Sequence, residues 1–187
     1  AVGGAAGALT AGNVGTTDGN VYVGYNAGYS NISGSGLTFL GFKAGQNATG
    51  SNNTFLGYQA GQGYSGAAAT TGGDNTAIGY QSMQVFTTGY ANTVIGKGAG
   101  DAINTGYNNT IMGASAGTAL TTGFGNVIIG RVAGYATTDV DKAVIIGEQA
   151  GYTGNMTSAA DGTVSIGSGA GKNITSGQAN VSVGFGA

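Results

Sequence analysis

The sequence predicts an all-β protein, a parallel β-solenoid (β-roll or β-helix) of about eleven coils of ~17 residues each. Three observations carry that expectation: a motif that recurs along the whole chain, a short β-branched segment before each copy, and an abundance of glycine without any proline, with 41 Gly in 187 residues. Glycine at that level also suits a disordered chain, but a hydrophobic fraction of 41% and a charged fraction of 6% do not. The glycines are therefore read as placed for geometry.

The motif is a small hydrophobic residue, glycine, two further residues, then Ala-Gly. Its anchor glycines fall at 3, 24, 41, 57, 79, 96, 113, 130, 147, 167 and 184, giving spacings of 21, 17, 16, 22, 17, 17, 17, 17, 20 and 17. The copies include Val2-Gly3-Gly4-Ala5-Ala6-Gly7, Leu56-Gly57 to Ala60-Gly61, Ile95-Gly96 to Ala99-Gly100 and Met112-Gly113 to Ala116-Gly117, with a variant at Ile78-Gly79 to Ser82-Met83. Longer spacings mark insertions, clearest around 63–73, which a solenoid places in loops outside the coil.

Each anchor follows a strand-like pentad, as in Asn53-Thr54-Phe55-Leu56-Gly57, Asn75 to Gly79, Asn92 to Gly96, Asn109 to Gly113 and Asn126 to Gly130. Their β-branched residues favour an extended backbone. A second glycine turn, as in Thr105-Gly106-Tyr107 and Thr122-Gly123-Phe124, predicts a unit of strand, turn, second short strand, turn. One such unit cannot bury its apolar face alone, so units must stack and equivalent residues must form ladders. The column Asn20, Asn53, Asn75, Asn92, Asn109, Asn126, Asn180 is expected to stack amide on amide. Gly57, Gly79, Gly96, Gly113, Gly130, Gly147 and Gly167, with Gly61, Gly100, Gly117, Gly134, Gly151 and Gly171, are expected where φ is positive or another backbone comes close.

Side chains alternate along a strand. The position at the centre of each strand reads Tyr22, Phe39, Phe55, Ala77, Val94, Ile111, Ile128, Ile145, Ser165, Ser182, and the flanking positions are apolar or threonine. Both faces thus suit burial, whereas a thin solenoid has one interior. The second face implies contact with other copies of the chain in a homo-oligomer. The threonine column (Thr38, Thr54, Thr76, Thr93, Thr110) turns into Val127, Val144, Val164 and Val181, which reads as a buried column.

The charge balance, five Lys plus Arg against seven Asp plus Glu for a net −2, provides no basic stripe for nucleic acid and none for an anionic membrane surface. The apolar runs are too short to insert in a bilayer. No cysteine or histidine is present, and no nucleotide-loop ending follows the glycine-rich stretches. The acids Asp18, Asp74, Asp101, Asp139, Asp141, Glu148 and Asp161 are scattered. Asp139 and Asp141 suit a catalytic or calcium-binding pair less well than a solvated loop beside Lys142. The expectation is a non-enzyme with no cofactor, metal or catalytic residue. Tyr25, Phe42, Tyr58 and Tyr80 follow anchors, and Tyr90, Tyr107 and Phe124 follow second turns. These rings either stack on sugars, making Tyr25, Tyr58, Tyr80, Tyr90 and Tyr107 the candidate glycan contacts, or pack between coils and chains. Sequons at Asn31, Asn47, Asn52, Asn108, Asn155, Asn173 and Asn180 are at the level chance supplies in so Asn- and Thr-rich a chain.

The Asn-Thr-x-φ-Gly-x-x-Ala-Gly unit, best copied at Asn53 to Gly61 and Asn92 to Gly100, resembles repeats of phage tail-fibre proteins, notably those ending in a self-cleaving endosialidase-type chaperone domain. It is also similar to the repeats in heads of trimeric autotransporter adhesins of the YadA type, which use a shorter unit. The resemblance implies trimers of parallel β-rolls, outside the cell or on a virion, that reach and touch a cell-surface glycan or receptor. The expected function is such a fibre or adhesin segment, 1–187 forming a single repetitive piece of a longer protein. The alternatives are a bacterial extracellular filament subunit joined end to end and an ice-binding solenoid.

Overall fold

Each pentad contributes a three-residue strand, because its β-branched and aromatic residues favour extended backbone and the glycine that follows ends it. The strands are β1 (Val21–Val23), β2 (Thr38–Leu40), β3 (Thr54–Leu56), β4 (Thr76–Ile78), β5 (Thr93–Ile95), β6 (Thr110–Met112), β7 (Val127–Ile129), β8 (Val144–Ile146), β9 (Val164–Ile166) and β10 (Val181–Val183). They form one parallel sheet in chain order, each strand paired with the equivalent strand of the next coil. The computed structural model describes residues 2–4, 6, 19–66 and 70–187. Ala5 and Gly7 of the first repeat copy, Asp18, and residues 67–69 of the insertion lie outside the described residues. A parallel bridge between Val2 and Val23 adds one rung before β1.

Register is strict: Phe39 pairs with Tyr22 and Phe55, and Ile111 with Val94 and Ile128. The anchor glycines enforce it. Gly96 has φ +138, and a Cβ there would lie 2.5 Å from the Gly113 carbonyl oxygen of the next coil. Gly61 has φ +52, and its Cβ would sit 2.4 Å from the Phe55 ring inside the coil. The two glycine columns therefore do different work, one admitting the neighbouring backbone and the other the core.

Among the described residues the second short strand does not form, beyond a single parallel bridge between Ala48 and Thr70. Residues two after the anchors adopt left-handed backbone (Lys43 φ 57, Gln59 φ 54, Val132 φ 52), as does the glycine of Ala-Gly, so the chain curls through consecutive turns instead of extending. Coils still pair along this stretch, with Gly61 N donating to Ser82 O at 2.9 Å and Gly100 N to Ala116 O at 2.9 Å.

Inside, the central strand residues meet a second column that enters from the opposite wall: Asn31, Ala48, Thr70, Phe86, Ile103, Leu120, Thr137 and Met156, all buried. The two columns compensate in volume coil by coil. Tyr22, Phe39 and Phe55 share coils with Asn31, Ala48 and Thr70, whereas Ala77 shares its coil with Phe86. Phe39 and Phe55 stack at 4.9 Å between ring centroids, and Phe86 meets Phe55 edge-on at 5.7 Å. Each of these buried large side chains contributes roughly 1.5–3 kcal/mol. Asn31 donates to the Tyr22 hydroxyl at 2.6 Å, and burial pushes that hydroxyl above its ordinary pKa, partly offset by this bond.

The asparagine column forms the expected ladder over Asn53, Asn75, Asn92, Asn109 and Asn126. Each Nδ2 donates to the preceding Oδ1, at 3.2, 3.1, 3.0 and 2.9 Å, and the same Oδ1 accepts the next backbone N–H. The other amide proton reaches a turn carbonyl, Gly89 O from Asn75 and Gly106 O from Asn92. Asn20 and Asn180 stand apart from this run: Asn20 Oδ1 accepts from Leu37 N and Asn180 donates to Thr163 Oγ1. In the insertion between β3 and β4, pairing with the next coil continues through Tyr64 N, 3.0 Å from Phe86 O, and is taken up again at Thr70, which is buried and bridges Ala48 in parallel. The longer turn between β8 and β9 holds a single 3-10 turn, Ser158–Ala160, capped by Thr157 Oγ1.

Candidate functional site

Since the central strand residue points inward, its two neighbours must point out. Thr38, Leu40, Thr54, Leu56 and Met112 are exposed, and their counterparts on β4, β5, β7 and β8 are half-buried. This corrects the reading of the threonine column as buried: in the single chain it faces solvent from Thr38 to Val181, because the interior is already filled by the two columns described above. The outward strand face is a strip two side chains wide without a single charge across all ten strands. At ~4.8 Å per rung the strip runs about 43 Å. Leu40 is 44% and Leu56 41% exposed, one file of the strip being apolar throughout and the other threonine from Thr38 to Thr110.

The residue after each anchor lies beside this strip. Tyr25, Phe42, Tyr58 and Tyr80 form one ladder there, with centroids 5.5, 5.0 and 5.1 Å apart and rings within 15° of parallel. Tyr90, Tyr107 and Phe124 form a second at 4.9 and 4.7 Å. Sequence reasoning missed a third, Tyr135 and Tyr152, 5.5 Å apart; its signal was a tyrosine directly after the Ala-Gly pair in two successive copies. Parallel stacking consumes ring faces between rungs and presents the edges to solvent. The C-terminal face of each ladder meets a lysine from the next coil: Lys97 over Tyr80, Lys142 over Phe124 and Lys172 over Tyr152, at 5.9, 5.6 and 5.8 Å. Lys43 lies 5.4 Å over Phe42, and Arg131 pairs with Glu148. All five cations of the chain are thereby committed to neighbours within the rod.

Three of the acids serve the backbone. Asp139 accepts from Ser158 N, Asp141 from Phe124 N and Asp161 from Asp141 N. Burial, with Asp161 nearby, holds Asp141 above the usual carboxylate range, against the pull of Phe124 N–H and Lys142. Among the described residues no three Asp or Glu side chains gather as metal ligands, and no helix is long and apolar enough to cross a membrane. Of the sequons, Asn31 is buried and bonded to Tyr22, while Asn52, Asn108, Asn155 and Asn173 are exposed.

Two of the concave places among the described residues lie near this surface chemistry. One is a cleft on the last coil, lined by Ser168, Ile174, Ser182 and Phe185 among others. The other is a groove beside the insertion, lined by Tyr64, Val85, Thr87, Asp101, Ala102, Asn104 and Thr121. Comparison with known protein families, with curated proteins and with solved structures finds no match.

Proposed function

We propose that the chain is a rigid structural segment of an extracellular fibre, of the tail-fibre or trimeric-adhesin kind, and that it is not an enzyme. The observation that carries this reading is the uncharged outward strand face running the length of the sheet. A lone soluble rod has no use for such a face. A second and third copy laid alongside, each with the same rung spacing, would cover it in register. The groups that elsewhere do chemistry support the reading: carboxylates hold backbone N–H groups and cations cap rings. The fibre's task is reach and stiffness, with attachment to a cell-surface glycan or receptor through ladder edges as its contact, which many copies would strengthen. The test is solution mass by light scattering. A trimer supports the fibre reading, a stable monomer overturns it, and open-ended polymers favour an end-to-end filament.

One observation favours a second reading, ice binding. Thr38, Thr54, Thr76, Thr93 and Thr110 present a regular outward file of hydroxyls flanked by an outward apolar file. Thermal hysteresis of the monomeric rod, abolished by replacing Thr76 and Thr93 with lysine, would establish it; its absence at millimolar protein would dismiss it.

A further inference from the structure

The outward strip has two unlike edges. Where the chain leaves the strands, Lys97 follows β5, Arg131 follows β7 and Glu148 follows β8; where it enters them, Tyr90 precedes β5, Phe124 precedes β7 and Lys142 precedes β8. All but the half-buried Phe124 are exposed. Their contacts within the chain leave bonding capacity over. Lys142 lies 5.6 Å over Phe124 and forms no ion pair among the described residues, so its three N–H donors still lack a carboxylate. Glu148 bonds Arg131, yet the two side chains are 52% and 60% exposed. Asp141, beside Lys142, is turned onto Phe124 N at 3.0 Å, which leaves Lys142 as the outward charge there.

A second copy covering the strip can run in the same direction or the opposite one, and each choice brings different edges together. Sheets packed face to face lie roughly 10 Å apart, a gap that a lysine and a glutamate reaching toward each other can bridge. In the same direction with coils level, the leaving edge of one copy meets the entering edge of the next, whether two copies or three close the contact. Glu148 then faces Lys142, Arg131 faces Phe124 and Lys97 faces Tyr90, so an anion meets a cation and the other two cations meet rings. In the opposite direction like edges meet and the order of coils reverses. With ten strands, β8 then lies across from β3 and β5 from β6. Glu148 faces Tyr58, Lys142 faces Asn52, the two Lys97 side chains come within one rung of each other, and no cation is level with an anion.

We propose that copies of the chain lie parallel with their coils level, joined along the strip by a seam in which Glu148 of one copy bonds Lys142 of the next. The seam rests on the lateral assembly proposed above and gives it a direction and a charged contact. It also guards the register, since a slip of one coil loses the pair and, in one sense, sets Arg131 against Lys142.

The test uses the chain's lack of cysteine. Glu148→Cys and Lys142→Cys chains are mixed and treated with a short bismaleimide, and the products are read by mass spectrometry. The mixture should give a covalent dimer holding one of each chain, whereas either variant alone should give almost none. Glu148→Lys, which sets like charges across the seam, should raise the dissociation constant of the assembly about tenfold with the melt of the coil unchanged. Lys97→Cys chains that link to themselves, with no mixed product from the first pair, would mark opposite directions and overturn the proposal. An assembly seen by light scattering that yields neither product overturns the seam and leaves the fibre reading standing; a monomer removes both.

Discussion

Replacing Asn92 by alanine removes one rung of the amide ladder and leaves the backbone of its coil untouched. Four hydrogen bonds go with the side chain: its donations to Asn75 Oδ1 and Gly106 O, and its acceptance from Asn109 N and Asn109 Nδ2. Two of the partners keep another bond. Asn75 Oδ1 still accepts the backbone N–H of residue 92 at 3.0 Å, and Asn109 Nδ2 still reaches Gly123 O at 2.8 Å. The Asn109 N–H and the Gly106 carbonyl are left without that partner in a buried place. At about 1–3 kcal/mol for each orphaned group, the loss is roughly 2–6 kcal/mol. For a domain of this size that corresponds to a fall in melting temperature of roughly 4–24 °C. Asn180→Ala is the internal comparison, because Asn180 is partly solvated and accepts no ladder bond; it should cost about 1 kcal/mol. The assay is urea unfolding followed by far-UV circular dichroism, with hydrogen exchange read at the Asn109 amide. Equal losses for the two variants, or an Asn109 amide as protected as before, would refute the idea that the ladder's satisfied bonds, rather than asparagine's turn preference, hold the column.

Four further outcomes follow from the same structure. Phe86→Ala empties the coil in which Ala77 leaves the most room and should cost about 3–5 kcal/mol in urea unfolding, with Phe55 losing its edge contact. Thr137→Val should stabilise the rod by about 1 kcal/mol, because the Thr137 hydroxyl is buried without a partner and valine keeps the shape. On the proposed side-by-side assembly, Ile95→Asp on the outward face should give a monomer by light scattering while leaving the circular dichroism of the coil unchanged; an assembly that survives the change would locate the interface elsewhere. Asp101 has its pKa raised in the folded state, so the folded chain holds this proton more tightly than the unfolded one. Stability should fall as pH rises from the unfolded value through the raised one, and Asp101→Asn should flatten that part of the profile in unfolding titrations.

The repeat made the fold legible because a solenoid converts sequence period directly into spatial neighbourhood. Asn53, Asn75 and Asn92 lie far apart in sequence, yet their side chains bond in one file. The second strand was misjudged because it was read from the glycine turns on either side of it, which say nothing of the backbone between: Gln59 and Val132 occupy left-handed conformation, which no pattern of polarity reveals in a non-glycine residue. The interior column of Phe86, Ile103 and Leu120 escaped notice because neighbouring copies substitute Ala48, Thr70 and Thr137, so it looks irregular until paired with the strand column that compensates it. The threonine file was read as buried on substitution by valine, a signal that cannot separate a filled interior from an outer face awaiting another chain. The groove at Asp101 was invisible for a different reason: it depends on residues from several coils and on the insertion that brings Tyr64 beside them.

The amide ladder also has a direction. Every rung from Asn75 to Asn126 donates toward the N-terminus and offers its oxygen toward the C-terminus. A nascent chain emerging from a ribosome exposes its early coils first, and each finished coil displays an acceptor that the next asparagine's backbone N–H and side chain can both engage. The rod is therefore polar along its axis: a coil added at the C-terminal end meets waiting acceptors and one added at the N-terminal end meets waiting donors, so its two ends are chemically distinct templates even though a repeat of this kind can nucleate at any coil.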